Sequence, residues 1–473
     1  MKKISGFSPA LPFYLFTVGV FLIIICRNIF SNGMFLDGLI YSTVSRNLSE
    51  GAGTFWNPQF TLTCIRDFHE HPPLAFALQS IFFTVFGDSR FTDRIYSLFT
   101  VLVEGFIILR IWKTMGFKYG WIVLLLWLIT PTVFWTSYNN LLENTLTVFT
   151  SLSVLCYLKN QESNKINLLI ISGFLLGLGF LTKGFVSLFP WTFPFFLWIF
   201  LRNKSFYRMA ADTAVIFLST IIPLLLLITF SPVARESLHK YIDNQVIYSV
   251  ANIVTVRSRF DILFRLLNEI APLAILYVIF LVLGRYRKLK TSIIPGNTKK
   301  AMAFIALGLS GVLPIMISMK QSGFYILPVY PFFAMAASIL LYPFTEPLLS
   351  GINYKSQGFK IFKMTGILVF SAGIFLSILF SGGYSRDEEK LKDTSLILPY
   401  LPAGSVVNIV PQMYEDWSLH GYFERFKHIS LDPDPENKRD YLLLKKEYYS
   451  DSLNLSYNII KTNSANYMLL RRK

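Results

Sequence analysis

Long apolar runs recur along this chain, separated by short polar stretches. They fall at roughly 10–30, 91–111, 119–135, 142–158, 167–182, 184–201, 209–230, 262–284, 301–319, 322–342 and 362–382. A helix of about twenty apolar residues matches the hydrocarbon thickness of a bilayer. Backbone groups in lipid must bond within their own segment, so helices are predicted for these runs. A β-barrel would alternate in segments of about ten residues, and these runs do not alternate. The pattern predicts an all-α polytopic membrane protein with about 11 transmembrane helices. Segment 73–87 is apolar but short, about 22 Å as a helix at about 1.5 Å per residue.

The cations decide how that short segment is read. If 73–87 does not span, alternate loops collect Lys2 and Lys3, then Arg110, Lys113 and Lys118, then Lys159 and Lys165, then Arg202, Lys204 and Arg208. The same side receives Arg285, Arg287, Lys288, Lys290, Lys299 and Lys300, followed by Lys355, Lys360 and Lys363. That side is read as cytoplasmic, and 73–87 becomes a helix at the outer face. Asp37, Glu70, Glu143, Lys183, Lys320, the 231–261 loop and everything after Tyr384 then share the outer side. Met1-Lys2-Lys3 precedes an apolar run with no small-residue cleavage site, which reads as an uncleaved first span.

Past residue 384 the pattern changes. Short strands are predicted at 404–410, 428–432, 441–446 and 466–472, and 416–426 has helical spacing. The division predicted is a membrane domain at 1–383, with an outer loop at 31–90 carrying interfacial helices, and a small C-terminal α/β domain at 384–473 outside the membrane.

Composition agrees with this picture. Of 473 residues, 53% are hydrophobic and 15% charged, against about 25% charged in soluble domains. The net charge of +16 would suggest nucleic acid in a soluble protein. Here the cations cluster between apolar runs, so topology accounts for them and no nucleic acid partner is expected. Cys26, Cys64 and Cys156 are widely spaced, which argues against a disulfide framework or a zinc cluster.

The candidate chemistry concentrates between Asp37 and Arg94. Asp37 lies just past the first run, before an amphipathic stretch (Leu39, Ile40, Val44, Leu48) suited to the membrane surface. A carboxylate there can orient or deprotonate a hydroxyl; a helix N-cap is the plainer alternative. His69-Glu70-His71-Pro72-Pro73 opens the short helix. These side chains suit a polar headgroup, but they lack HxxxH or HExxH spacing, which favours an interfacial cap over a metal site. Glu143 opens one run, Lys183 interrupts another, and Lys320 and Tyr325 separate two more. Snorkelling explains any one lysine. Two ammonium groups on turns otherwise poor in cations suit an anionic ligand such as a lipid phosphate.

The order of these residues resembles a family. Asp37 follows the first span; then come Glu70-His71-Pro72-Pro73-Leu74, Phe86-Gly87 with an arginine after it, and Glu143 at a span entrance. Leu181-Thr182-Lys183-Gly184 and the 319–331 segment MKQSGFYILPVYP complete the pattern. This resembles the GT-C integral-membrane glycosyltransferases, in particular the aminoarabinose lipid A transferases and the dolichyl-phosphate-mannose protein mannosyltransferases. The likeness runs through essentially the whole chain. It implies Asp37, Glu70 and Glu143 as catalytic carboxylates, and Lys183, Lys320, Tyr325, Arg94 and His71 around the donor phosphate.

Two positions depart from the aminoarabinose branch: His71 stands where a lysine is typical, and Asp37-Gly38-Leu39-Ile40-Tyr41 replaces an Asp-Glu-x-Arg-Tyr run. Some relatives carry a metal-binding histidine where this chain has Asp243-Asn244-Gln245, with His239 displaced, so a divalent metal has little support and no other cofactor is indicated.

The resemblance implies a hexosyl- or pentosyltransferase using a polyprenyl-phosphate (undecaprenyl-phosphate type) sugar donor. Its acceptor would be a lipid, glycan or protein at the periplasmic face of the inner membrane, and the anomeric configuration would invert. The alternative is a transporter or flippase of an anionic lipid-linked substrate, with the same lysines as ligands. Against that, no internal repeat relates the halves and few ionisable residues sit at mid-membrane depth. A non-catalytic lipid-binding or assembly protein is the third reading.

Overall fold

The computed structural model describes residues 9–286 and 296–473. Lys2, Lys3, Arg287, Lys288 and Lys290 lie outside the described residues.

The chain enters through α1 (Leu11–Ile25), with Pro12 in its first turn, where a missing N–H leaves no bond unmade. Two short helices follow, α2 (Leu36–Ser49) and α3 (Leu74–Phe86), the latter about 20 Å long and too short to cross a bilayer. The bundle continues with α4 (Thr92–Thr114), α5 (Trp121–Leu128), α6 (Pro131–Thr136), α7 (Leu142–Ser163), α8 (Ile166–Lys183), α9 (Phe193–Leu201) and α10 (Phe206–Phe230). A loop carries α11 (Pro232–Tyr241) and α12 (Tyr248–Asn252). Then come α13 (Asp261–Tyr286), α14 (Asn297–Val312), α15 (Tyr330–Ser350) and α16 (Gln357–Leu379).

Every apolar run expected to span coincides with one of these helices or a broken pair of them. Among the described residues, seven helices are both long and apolar enough to cross a membrane. The other four expected spans fall short of that measure for visible reasons. Helix α1 has 15 residues; Pro131 divides the third run into α5 and α6. Helix α7 is long but lined with Thr and Ser, and the run at 184–201 begins as 3₁₀ turns. The protein is multi-pass; length and composition alone do not establish the number eleven.

Close helix packing uses small residues, as expected where lipid supplies no hydrophobic drive between helices. A Cβ at Gly19 would sit 2.6 Å from the Phe370 nitrogen and one at Gly366 would sit 2.7 Å from the Pro12 oxygen, which is how α1 and α16 lie against each other. The segment Gly323–Ser350, which ends in α15, is central, with 83% of its most apolar window buried.

After α16 the chain forms α17 (Glu388–Ile397), β1 (Val406–Ile409), α18 (Trp417–Lys427), β2 (Ser430–Asp432), β3 (Tyr441–Lys445), β4 (Tyr457–Ile460) and β5 (Tyr467–Arg472). The sheet order is β2-β1-β3-β5-β4, with β1 parallel to β2 and β3, and β5 antiparallel to β3 and β4. Leu419 and Phe423 of α18 fill the core against Val407, Leu431 and Leu443.

Helix α2 is not a surface helix. It is wedged between α3 and α18, with nine of its residues buried. Arg46 is fully buried there and donates to the carbonyls of Glu424 (2.8 Å) and Arg425 (3.3 Å). Arg425 returns a bond to the Ser42 hydroxyl at 3.1 Å and pairs with Asp88. Glu50, Asp88 and His428 place ligand atoms within 4.8 Å of one another, but Arg46 and Arg425 fill the cluster they form. The tail is thus fastened to the helix whose first turn carries Asp37.

Candidate active site

The site is assembled where the first turn of α2 meets the turn before α7. The N-cap of α2 is Phe35, so Asp37 lies inside the first turn and is not the cap. Phe35 donates its backbone N–H to Asn139 Oδ1 (3.0 Å), and Asn140 Nδ2 donates to the Gly38 carbonyl (3.3 Å). A Cβ at Gly38 would lie 1.8 Å from the Asn139 oxygen, so only glycine permits the two turns to touch. This contact brings Asp37 to the mouth of α7, whose first turn carries Glu143.

Glu143 is fully buried and its Oε1 pairs with Lys183 Nζ at the end of α8. Lys183 Nζ also lies 5.2 Å from the Tyr325 ring centroid and 5.7 Å from that of Phe324, within the range where an aromatic face attracts a cation. Glu143 Oε2 is buried with no protein partner among the described residues.

Lys320 arrives from the turn between α14 and the 3₁₀ segment Gly323–Val329. Buried Gln321 anchors that turn, donating to the carbonyls of Arg259 (3.0 Å) and Ser318 (2.9 Å) and accepting from Ile262 N (2.9 Å). Lys320 Nζ donates to Gln245 Oε1 (2.9 Å) and Ser249 Oγ (3.2 Å), both on the loop between α11 and α13.

Electrostatics tie these groups together. Burial raises the Asp37 carboxyl above its ordinary range, and the ammonium groups of Lys183 and Lys320 oppose that rise. Burial raises Glu70 likewise, with Lys320 lowering it and Asp37 adding repulsion. Burial lowers Lys320, against the pull of Glu70 and Asp37. His71 is held well below its usual value by burial and then by Lys183 and Lys320, so it is a neutral imidazole at physiological pH. A neutral imidazole can donate a hydrogen bond but carries no charge. Its Nε2 bonds the Tyr41 hydroxyl at 2.9 Å, while its Nδ1 is buried without a protein partner among the described residues.

Seven of the eight residues singled out from the sequence thus converge: Asp37, Glu70, His71, Glu143, Lys183, Lys320 and Tyr325. Arg94 does not join them. It is 2% exposed and donates to the carbonyls of Asn28 (2.9 Å), Tyr138 (2.7 Å) and Gly33, which ties it to the α1–α2 connection. Three of its five N–H donors are thus committed to backbone carbonyls of that junction.

Sequence reasoning missed Tyr41, Gln245 and Ser249. Tyr41 stands four residues after Asp37, on one helix face with it, and is within the fields of Asp37, Glu143 and Glu70. That spacing was visible. Nothing in the sequence marked Gln245 or Ser249 as partners of Lys320, 71–75 residues away. His239, displaced in the sequence, bonds Asp243 (2.7 Å) on the exposed side of α11.

Residues 70–233 match the family of dolichyl-phosphate-mannose-protein mannosyltransferases. The undecaprenyl phosphate-alpha-4-amino-4-deoxy-L-arabinose arabinosyl transferase of Wigglesworthia glossinidia brevipalpis is 29% identical over 175 residues, which span 35% of this chain and 30% of that protein. ArnT from Cupriavidus metallidurans, bound to undecaprenyl phosphate, superposes with a TM-score of 0.66 at 14% identity, covering 96% of this chain and 97% of that one. The Archaeoglobus fulgidus oligosaccharyltransferase without ligand gives 0.51 at 11% identity, covering 89% of this chain and 64% of that one. This chain therefore shares the fold of ArnT along nearly its whole length and is similar, over residues 70–233, to the dolichyl-phosphate-mannose-protein mannosyltransferases.

Proposed function

We propose that this protein transfers a sugar, a hexose or a pentose, from a polyprenyl-phosphate carrier to a lipid, glycan or protein acceptor. The observation that carries the reading is the meeting of Asp37, Glu70 and Glu143 with Lys183 and Lys320, from five separate segments, at one end of a membrane bundle. The likeness to a solved ArnT that holds undecaprenyl phosphate supports a lipid-linked donor. On this reading residues 1–383 are the catalytic membrane unit, 384–473 an outer unit fastened over α2, and the site faces the periplasm.

Lys320 is the principal cation for the carrier phosphate, because its hydrogen-bond partners Gln245 and Ser249 are neutral and, among the described residues, it is held in no direct ion pair. Lys183 is shared with Glu143 and contributes to the phosphate through the same ammonium group. His71 Nδ1–H supplies one further donor. As the bond from the anomeric carbon to the phosphate oxygen breaks, these donors hold the charge that develops on the leaving group. The acceptor oxygen forms the new bond from the opposite face and its proton passes to Asp37, inverting the configuration. A phosphate monoester is already a good leaving group, so no strong general acid is needed. Glu143 Oε2, lacking a partner, is placed to accept from a sugar hydroxyl or amine.

The test is release of carrier phosphate from a panel of radiolabelled undecaprenyl-phosphate sugars by protein in nanodiscs, with a membrane extract as acceptor. Extract-dependent release by the wild type, lost in Asp37→Asn while carrier binding persists, is the expected result. Binding without release from any donor would sink the transferase reading in favour of transport.

A further inference from the structure

The membrane face away from Asp37 carries a second concentration of charge. Glu143 and Lys159 are both on α7, separated by about 24 Å at about 1.5 Å per residue, so this face lies most of a bilayer's hydrocarbon thickness, about 30 Å, from the candidate active site. Here the end of α4 and the turn joining α7 to α8 enclose an open cleft of about 530 Å³. Arg110, Lys113, Lys159 and Lys165 line it, with Glu162 the one acid among its lining residues. Among the described residues, none of these four cations forms an ion pair.

What continues from the cleft is equally specific. Helix α4 leads into it with an exposed apolar stripe, Leu102 at 69% and Phe106 at 63% exposure. Helix α8 leads away from it with another, Ile170 at 48% and Phe174 at 49%. Both stripes lie within helices long and apolar enough to span a membrane and are left exposed by the described residues. Cations at the rim above two lipid-facing stripes match an amphiphile with an anionic head and apolar tails.

We infer that this cleft binds the phosphodiester headgroup of an anionic glycerophospholipid in the leaflet away from the candidate active site. Its acyl chains run along α4 and α8. The site is independent of the transfer reaction. General attraction of positive loops to anionic lipid is the competing explanation, since other cations occupy the same face.

The experiment is native mass spectrometry of the full chain in neutral detergent, titrated with phosphatidylglycerol and, separately, phosphatidylcholine. The wild type is expected to favour phosphatidylglycerol by about ten-fold or more. The triple variant Lys113→Gln, Lys159→Gln, Lys165→Gln should lose that preference. A control triple, Lys299→Gln, Lys355→Gln, Lys360→Gln, removes equal charge from the same face outside the cleft and should keep it. Equal losses in the two triples would overturn the site and leave only general attraction. Displacement of the lipid by millimolar inorganic phosphate would overturn the lipid assignment in favour of a soluble anion. Should the cleft triple melt below wild type in the absence of anionic lipid, Lys113→Gln alone, on the exposed end of α4, carries the test through a partial loss.

Discussion

At the scale of residues, the two lysines of the site differ in kind. Lys183 is 8% exposed and neutralises a fully buried Glu143, so its loss strands a carboxylate in a dry place. Lys183→Ala should cost about 3–5 kcal/mol of stability, read as a fall in melting temperature, and Glu143→Gln in the same chain should recover much of it. Lys320 bonds neutral groups from a half-buried position, so Lys320→Ala should leave the melting temperature nearly unchanged yet weaken carrier-lipid binding by about 1–3 kcal/mol. Equal thermal shifts in the two variants would refute this division. The carboxylates set the pH dependence. Asp37 serves as base only when ionised, and burial raises its pKa above 3.8, so kcat/KM should fall with acid at a pH above the ordinary carboxylate range. Lys320 lowers the pKa of both Asp37 and Glu70, so Lys320→Gln should move that acid limb to higher pH; movement the other way would contradict the geometry. On the alkaline side, Lys320 itself is lowered from 10.5, so phosphate binding should weaken before an ordinary lysine would lose its proton.

At the scale of elements, α2 decides whether the site exists. Its first turn rests on the backbone of Asn139, and its far end is gripped by Glu424 and Arg425 of the tail. Gly38→Ala would place a Cβ 1.8 Å from a backbone oxygen that no rotamer can move. Overpacking of this sort costs about 1–3 kcal/mol or more, and turnover should be lost even in protein that remains folded, because Asp37 is carried away from Glu143. Retained turnover in Gly38→Ala would show that the α2–α7 contact does not position the base. The strands of the tail show which elements periodicity can reveal. Strands β1, β2, β3 and β5 were all anticipated, their residues being largely buried. Strand β4 was not: it is a four-residue edge strand with no fully buried residue. Helix α2 is legible as a helix, but its packing between α3 and α18 is not. Its polar positions Ser42, Ser45, Arg46 and Asn47 are buried against polar partners, and sequence alone does not distinguish those partners from water.

At the scale of the whole molecule, the positive clusters and the site occupy opposite ends of the same helices. Cysteines introduced at exposed Ser163, the last residue of α7, and exposed Ser395, in α17, of a chain freed of Cys26, Cys64 and Cys156 should react with an impermeant maleimide from opposite sides of a sealed vesicle. Labelling of both from one side would overturn the span assignment from which the outer location of Asp37 follows. Several features were legible before any fold was known. Apolar run length determines that helices cross a membrane, because unpaired backbone groups are intolerable in lipid. The cation asymmetry favours one threading, and it leaves the acidic and basic candidates on one side. Linear order cannot state which of those candidates touch. Asp37 meets Glu143 because Gly38 lets two turns collide closely, Lys320 is aimed by Gln321 and the distant Gln245, and Arg94, equally plausible in sequence, is drawn away by three backbone carbonyls. Periodicity records which face of an element is apolar, whereas partners for buried polar groups are chosen by long-range packing, and that choice exists only in the tertiary structure.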